Sequence, residues 1–489
     1  MKFGNGFTLI ELTVALVVIG LLVAGAAKAF DIYMKKLRVD TTKARISEIE
    51  DALRLYVHEN GRYPCPAPID AARDSAAYAQ ETNCAGAPAA GVSDVSGHAG
   101  RRVRIGAVPA GTLADEVIDG RGKVALPGLF NAHSHAAMTF ERGWAEDLPF
   151  PRWLNEKIWV AESALTPDDV YWGAALAACE MIRSGTIGFN DHYFYMDRVA
   201  EVVQQSGMKA QLAWCVFGIG ADQEVGPGLD GTLEFIEQWQ NAADGRIHTC
   251  LGPHSPYVCP PEFLGRVAEI AAERGLAVHL HVAESQEQVE NSLARYGQTP
   301  VQQLAALGIF DGRAVAAHAL AVSAGDRAIL AEKGVFVART PNTYMKLAMP
   351  VNHVTDLRAD GVRVALGSDG PASNATMDLF QIMRQQALLE KYLRLDPEAL
   401  PGDTPLRMAS QIGAQALGFA ESGVLREGAP ADLILLDFDQ PHLRPRHDLI
   451  ANAVHTASGS DVTDVLVDGR LLMRDRALLT LDEERILYE

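Results

Sequence analysis

Three histidines and one aspartate have the types and positions of a metal site. His133 and His135 are two residues apart, and on an extended chain both side chains point to the same side. His281 offers a third imidazole nitrogen and Asp369 offers a carboxylate, each next to another apolar run. Three histidines and one aspartate suit Zn²⁺, with Fe²⁺ as the alternative. The sequence therefore predicts a metal ion held by these four residues.

Glu284 and His318 are the candidates for proton transfer beside that ion. A bound divalent ion lowers the pKa of a water to about 7 and makes hydroxide available at neutral pH. Hydrolysis then needs a general base for the water and a general acid for the leaving group. Glu284 follows His281 by three residues, and His318 ends another apolar run. The alternatives are that Glu284 is a solvated loop residue and that His318 is a packed, structural residue. Asp369 could accept a proton as well as bind metal.

The elements that must position these residues form an eightfold repeat that begins near residue 128. In each repeat an apolar run leads into a polar cluster and then into an amphipathic helix. Strands that alternate with helices indicate parallel pairing, and eight such units close a (β/α)8 barrel. The predicted strands are Gly128–Ala132, Gly185–Phe189, Ala210–Val216, Ile247–Leu251, Ala277–Leu280, Ala314–Ala317, Val335–Ala338 and Val362–Leu366. The predicted helices include Asp168–Ser184, Pro261–Arg274, Ser323–Lys333 and Met377–Tyr392.

Half of the histidines lie where such a barrel carries its active site, at the carboxyl ends of the strands. Chance would not concentrate seven of the 14 histidines there, so they indicate one shared site. His279 is expected to be a buried strand residue. Asp191 and His192 either support the ligands or form a polar rim of the barrel. The seven histidines are His133, His135, His192, His254, His279, His281 and His318.

Length, charge and cysteine usage narrow the class of protein. A chain of 489 residues with 48% hydrophobic residues predicts one large domain with a sizeable core and an appendage. Its net charge of −19 repels phosphate backbones, so we expect a small-molecule substrate and no nucleic acid. Cys65 and Cys84 could pair if their region is exported. The other cysteines read as buried free thiols: Cys179, Cys215, Cys250 and Cys259.

The first 63 residues resemble a type IV pilin or pseudopilin. Phe7–Ala27 is an apolar run long enough to cross a bilayer as a helix, and Glu11 inside it is costly in lipid. The segment from Gly6 to Leu12 is similar to the processing site of that family. The resemblance implies cleavage after Gly6, methylation of the new terminus at Phe7, and neutralisation of a neighbouring subunit's terminus by Glu11. It also implies attachment to the inner membrane.

From about residue 103 to its end, the chain resembles the methylthioadenosine/S-adenosylhomocysteine deaminases of the amidohydrolase superfamily. The resemblance implies a mononuclear zinc site at the four ligands named above and proton transfer by Glu284 and His318. It further implies that Glu146 grips ribose hydroxyls and that His254 and His281 contact the substrate. The motifs that carry it are Pro127–His135, Arg142–Leu148, Gly252–Tyr257, His281–Glu284, Ala317–His318 and Leu366–Gly370.

Two departures from that family bear on the substrate. The stretch Ala213–Gly218 lacks the arginine that can pair with a substrate carboxylate, and Pro341–Tyr344 replaces the usual Pro-x-Ser-Asn. The missing arginine disfavours S-adenosylhomocysteine and leaves methylthioadenosine, adenosine or another amino-heterocycle. The expected reaction is attack of metal-bound hydroxide on the amino-bearing ring carbon, with release of ammonia. The alternative substrates are guanine, 8-oxoguanine, a pterin or an s-triazine, including a chlorohydrolase reaction.

The predicted domains are a prepilin-like segment at 1–63, a linker at 64–102, the barrel at 128–415, and a β-sandwich from 103–127 and 416–489. So little sequence precedes the barrel that the sandwich could be incomplete, which would expose its edges. The chain is then an enzyme, a pilin-like structural subunit that carries an enzyme domain, or an artificial join of two sequences. Localisation stays open between the cytoplasm of the enzyme's relatives and the inner membrane. A homo-oligomer is expected.

Overall fold

The computed structural model describes residues 103–105, 116–218 and 224–489 of the chain. Within these ranges, none of the helices has both the length and the apolar character that a membrane span requires. The four cysteines predicted to be free thiols are all buried and unpaired. The linker lies outside the described ranges. So do five residues for which the sequence gives predictions: Gly6, Phe7, Glu11, Cys65 and Cys84.

Eight parallel strands form the barrel, so the predicted (β/α)8 fold is confirmed. Each strand pairs with the next barrel strand along the chain. The ring closes where Ser134, at the end of the first strand, forms a parallel bridge with Asp369 after the eighth. From first to eighth, the barrel strands are Leu129–Ser134, Thr186–Tyr193, Lys209–Gly218, Ile247–Pro253, Ala277–Val282, Ala314–His318, Phe336–Arg339 and Arg363–Leu366.

The barrel strands are apolar on both faces because helices cover the outside and side chains fill the inside. Every residue of the first and fifth strands is buried. The helices begin at conventional signals: Thr166 caps Pro167–Arg183 in a capping box, and Ser323 does the same for Ala324–Glu332. Pro261–Arg274 has the predicted bounds.

The remaining helices lie mostly between barrel strands, and several short ones follow the carboxyl ends of strands. The α-helices not yet named are Phe150–Trp153, Trp159–Glu162, Met196–Ser206, Gly228–Trp239, Ala242–Gly245, Gln286–Tyr296, Pro300–Ala306, Pro341–Lys346, Val354–Ala359, Pro371–Asn374, Leu379–Arg394, Thr404–Ala409, Gln411–Ala416, Leu449–His455 and Glu483–Tyr488. A π-helical turn spans Leu154–Ile158, and 3-10 turns span Ala136–Glu141, Pro441–Leu443 and Gly459–Asp461.

A five-stranded antiparallel sheet forms the second structural unit of the described chain, and a separate parallel pair of short strands accompanies it. Ile118, which ends the second strand of that pair, packs against Leu433, Leu435 and Leu466 of the sheet. In the described residues, the five-stranded sheet is therefore accompanied by one two-stranded layer, and the sandwich stays a prediction. The sheet contains Lys123–Pro127, Leu433–Asp437, Val462–Val467, Arg470–Arg474 and Ala477–Leu478, and the pair contains Val103–Ile105 and Glu116–Ile118.

Candidate metal centre

The four side chains predicted as metal ligands converge at the carboxyl end of the barrel. Nε2 of His135 lies 3.4 Å from Oδ1 of Asp369, and Nε2 of His133 lies 3.7 Å from the same oxygen. Nε2 of His281 lies 3.4 Å from Nε2 of His135. The i, i+2 spacing of the first pair and the closure of the barrel next to Asp369 bring these groups together. The geometry thus forms one compact donor set from three strands.

His318 joins the same donor set. The ligating atoms form two overlapping groups, His133 with His135 and Asp369, and His133 with His281 and His318. In each group the atoms lie within 4.8 Å of one another. His133 belongs to both groups, so it is the geometric centre of the cluster. His318 is therefore close enough to contact either a bound ion or a molecule attached to it.

Backbone carbonyls fix the orientation of two of the imidazole rings. Nδ1 of His135 donates to the carbonyl oxygen of His192 at 2.6 Å, and Nδ1 of His281 donates to that of His254 at 2.9 Å. A carbonyl can only accept, so each Nδ1 carries a proton, and in the neutral ring Nε2 then presents its lone pair. Such hydrogen bonds set the tautomer in which histidine binds a metal.

The residues whose roles the sequence left undecided contact the candidate ligands or the segment that carries them. His279 is fully buried, as expected for a strand residue, and its Nε2 lies 2.9 Å from Nδ1 of His133. Oδ1 of Asp191 accepts from the Ser134 hydroxyl at 2.8 Å and from the Ala136 N–H at 2.7 Å. These bonds brace the segment that carries His133 and His135. The contacts of Asp191 and His192 thus favour support of the ligands over a simple polar rim.

The donor set fits a divalent cation. Nε2 of His133 is buried and has no hydrogen-bond partner among the described residues, which is rare for a buried nitrogen without a ligand. Burial and the neighbouring histidines hold the pKa of His133 and His281 well below the usual value, so both rings are neutral. Neutral imidazole is the form that binds a metal, and a carboxylate completes a mixed nitrogen and oxygen set.

Glu284 and His318 form a buried pair beside the donor set. Oε1 of Glu284 lies 3.6 Å from Nε2 of His318, and both side chains are nearly inaccessible to solvent. The Tyr257 hydroxyl donates to Oε2 of Glu284 at 3.3 Å, and Nδ1 of His318 lies 3.3 Å from the Thr340 hydroxyl. Burial raises the pKa of Glu284, which favours a carboxyl group that exchanges protons. The two predicted proton-transfer residues are therefore adjacent and oriented by other side chains.

Three backbone positions at the site have left-handed conformations. His318 has φ 72°, Asp369 has φ 63° and Ala283, just before Glu284, has φ 48°. Such conformations are unfavourable for residues with a Cβ, and they cluster at functional sites where neighbouring structure holds them. Each turns the chain sharply at the end of a strand and directs a polar side chain toward the centre. No pattern in the sequence reveals these angles.

A small cavity lies over the donor set and opens into a larger groove. The cavity encloses about 70 Å³, and its walls include His254, whose ring stacks on Phe217 with centroids 4.9 Å apart. The adjoining groove has a volume of about 770 Å³ and shares Trp159 and Tyr257 with the cavity wall. That volume lies in the range of about 300–1,000 Å³ that is typical of ligand clefts. The groove thus provides a route by which a small molecule reaches the cluster.

Sequence reasoning missed several residues of the cavity wall. Phe150, Trp153 and Trp159 form an aromatic side of the cavity, and Glu162 and Tyr193 form a polar one. Burial raises the pKa of Glu162 to about 7. Tyr193 could have been found from its position at the end of the second strand. The others come from short helices after the first strand, where no spacing indicates which side chains turn inward.

Glu146 lies at the rim of the site, outside the cavity lining. Its side chain is 44% exposed, and Oε1 accepts a hydrogen bond from Nζ of Lys346 at 2.8 Å. Thr343 and Leu347, on either side of Lys346 in the chain, do line the cavity. The predicted substrate contacts are thus divided between His254 and His281 inside and Glu146 at the mouth. Tyr344 is buried and its hydroxyl accepts from the Thr340 N–H, so it braces the backbone there.

Two family models match the chain. The amidohydrolase family matches residues 124–472, and the prokaryotic N-terminal methylation motif matches residues 1–27. The two resemblances inferred from the sequence, one at each end of the chain, are therefore confirmed. The methylation motif indicates export or membrane association for the N-terminal segment.

Two proteins with similar sequences are named as deaminases. The 5-methylthioadenosine/S-adenosylhomocysteine deaminase of Dictyoglomus thermophilum is 48% identical over 375 residues, which cover 77% of this chain and 88% of that protein. The protein of the same name from Pelotomaculum thermopropionicum is 47% identical over 384 residues, covering 78% of this chain and 88% of the relative.

Two solved structures with the same fold contain zinc. An adenosine deaminase from Xanthomonas campestris with bound zinc has a TM-score of 0.73 and 33% identity, covering 76% of this chain and 86% of its own. An atrazine chlorohydrolase from Arthrobacter aurescens complexed with zinc has a TM-score of 0.70 and 26% identity, covering 78% of this chain and 92% of its own. Together with the histidine and aspartate cluster, these neighbours support a metal cofactor in this chain.

The matching family model extends from just before the first barrel strand into the five-stranded sheet. The relatives share nearly half of their residues with this chain over most of their own length. On these grounds, the chain belongs to the amidohydrolase family.

Proposed function

We propose that this chain is a zinc-dependent hydrolytic deaminase of amino-purine nucleosides of the methylthioadenosine or adenosine type. Water adds to the amino-bearing ring carbon, the C–N bond breaks, and ammonia leaves. The observation that carries the proposal is the junction of the donor set with the buried pair of Glu284 and His318, 3.6 Å apart. The similarity to named deaminases supports the same reaction.

We assign the metal to His133, His135, His281 and Asp369, with zinc favoured over Fe²⁺ because the solved neighbours contain zinc. A bound zinc ion lowers the pKa of a water and supplies a nucleophile at neutral pH. The fixed Nδ1 protons of His135 and His281 keep their Nε2 atoms directed at that ion. The barrel supplies the catalytic domain at residues 128–415. Residues 103–127 and 416–489 supply the sheet domain.

Proton transfer is assigned to Glu284, His318 and Asp369. Glu284 takes a proton from the water and delivers it to the ring nitrogen or the departing amino group, because its raised pKa suits both steps. His318 lies beside it and donates a hydrogen bond to charge that develops on the attacked carbon's oxygen. Asp369 accepts the second proton of the water, which is then transferred to whichever of these two nitrogens has not received the first, so that the amino group leaves as ammonia. His254, on the cavity wall, contacts the heterocycle, and Glu146 at the mouth binds the ribose hydroxyls.

Ammonia release from 5′-methylthioadenosine, adenosine, guanine, a pterin and an amino-triazine tests the assignment. The expected result is ammonia from the two nucleosides, with much less from the others. A chloro-triazine belongs in the same panel because one similar structure is an atrazine chlorohydrolase. If only the chloro-triazine is hydrolysed, with release of chloride, deamination is the wrong reaction although the site is the right one.

We further propose that residues 1–63 attach the enzyme to the inner membrane, with cleavage after Gly6, methylation at Phe7 and a pairing role for Glu11. The match to the N-terminal methylation motif supports this arrangement. The intact mass of the natively expressed protein tests it. The expected mass is that of residues 7–489 plus one methyl group. A mass that lacks the whole N-terminal segment would show that the two parts do not stay together.

A further inference from the structure

Lys346 connects three loops at the mouth of the barrel. Its Nζ donates to Oε1 of Glu146 at 2.8 Å and to the carbonyl oxygen of Ala372 at 3.0 Å. Glu146 follows the first barrel strand, Lys346 follows the seventh, and Ala372 follows the eighth, three residues after Asp369. A single ammonium group thus links the predicted ribose carboxylate to the loop that carries a metal ligand.

The geometry leaves half of the carboxylate free. No hydrogen bond to Oε2 of Glu146 is found within the described part of the chain, and the side chain remains 44% exposed. The Lys346 side chain is only 18% exposed, and its chain neighbours Thr343 and Leu347 line the cavity. A lysine held by a backbone carbonyl and largely shielded from water loses less energy to solvent screening than a surface lysine. The pair therefore fixes Oε1 of Glu146, while Oε2 belongs to a side chain that is partly open to solvent.

We propose that Lys346 is a positioning residue that aims the free oxygen of Glu146 at the vicinal hydroxyls of a ribose. The inference rests on the proposed nucleoside deaminase function and adds a determinant of specificity for the sugar. Without the lysine, Glu146 remains at the surface but samples many rotamers, so hydroxyl binding carries a larger entropic cost. The heterocycle, held near His254, does not contact Lys346. Loss of Lys346 therefore weakens recognition of the ribose diol and leaves the reaction at the heterocycle intact.

Deamination of adenosine and of 2′,3′-dideoxyadenosine by matched variants tests this inference. Lys346→Met is expected to lower kcat/KM for adenosine about tenfold, mainly through KM, because a charge-assisted hydrogen bond is lost. The value for the dideoxy substrate is expected to stay unchanged. Glu146→Gln should have the same selective effect, and the double variant should be no worse than Glu146→Gln alone. Lys346→Arg, which keeps the charge, should recover most of the preference for adenosine.

Lys333→Met is the control, since it removes a lysine whose Nζ also lies 2.8 Å from a carboxylate, that of Asp311, before the seventh strand. Lys333→Met should leave kcat/KM unchanged for both substrates. An equal fall on both substrates in Lys346→Met, or no change on either, would overturn the positioning role. Additive losses in the double variant would do the same. If the wild-type enzyme releases ammonia from neither nucleoside, the proposed function itself fails.

Discussion

The two ends of the barrel bury polar side chains in opposite ways. At the carboxyl end, Nε2 of His133 and Oδ2 of Asp191 are buried without a hydrogen-bond partner among the described residues. At the amino end, Nζ of Lys209 is equally buried but bonds to Asp432, Asp468 and Ser422, and so joins the barrel to the sheet. An unpartnered buried group costs about 1–3 kcal/mol. The difference indicates that Lys209 stabilises the fold, whereas the unpartnered atoms of His133 and Asp191 are free for a ligand.

The largest effect is expected at the carboxyl end, from Asp369→Ala. The change removes the proposed metal ligand and proton acceptor, so ammonia release should fall by at least about 10⁴-fold. Metal content, measured by elemental analysis, should fall with it. Asp168→Ala is the matched control, since that aspartate is 82% exposed on the barrel's surface. Full activity in Asp369→Ala would contradict the assignment of the active site to the carboxyl end of the barrel.

Glu284→Gln separates proton transfer from metal binding. The amide has nearly the same shape but cannot accept a proton, so kcat should fall by about 10²–10⁴-fold while metal content stays at the wild-type level. Glu290→Gln, one helical turn and a half further along on an exposed face, provides the control. Loss of metal in Glu284→Gln would instead make Glu284 a ligand and require new assignments for the site.

Lys209→Met tests the amino end. The variant leaves the buried Asp432 carboxylate without its cation, so the free energy of unfolding should fall by about 3–5 kcal/mol. Denaturant titration measures that loss. Metal content and kcat of the folded fraction should be unchanged, because the lysine lies at the opposite end of its strand from the site. A variant that keeps its stability but loses metal would contradict the division between the two ends.

Glu141→Gln gives the smallest effect and tests whether an unpartnered buried group always marks function. Among the residues that the structure describes, both carboxylate oxygens of Glu141 are buried without a hydrogen-bond partner, and burial raises its pKa from 4.5 to about 8. Between these values the unfolded chain releases a proton that the folded chain retains, so wild-type stability falls as pH rises from 5 to 8. The variant should have a higher Tm than the wild type, by a margin that widens over that interval. Thermal melts at several pH values measure it, and a constant margin would contradict the titration of Glu141.

The sequence predicted the barrel because its signals are local and repeated. Each apolar run is a strand, and the His-x-His pair at residues 133 and 135 needs only an extended backbone to place both rings together. The positions of His281 and Asp369 follow from the rule that the carboxyl ends of all strands face one side. For these elements, periodicity and topology carry the information.

The remaining features depend on contacts between distant segments. Three such features join residues that share no sequence pattern. They are the contact between His279 and His133, the hydrogen bond from Lys346 to Glu146, and the aromatic wall of the cavity. The left-handed conformations of His318 and Asp369 go against intrinsic preference and exist because tertiary structure holds them. The turn between the strands Glu116–Ile118 and Lys123–Pro127 likewise depends on a left-handed conformation, since Gly122 has φ 77° there.

Removal and return of the metal test the central claim most directly. The protein would be treated with a chelator and dialysed. Ammonia release from 5′-methylthioadenosine and the metal content per chain would then be measured before and after addition of Zn²⁺. The account predicts that the untreated protein holds one ion per chain, that release stops when the ion is removed, and that zinc restores both together. A stripped protein that still releases ammonia at the original rate would contradict it.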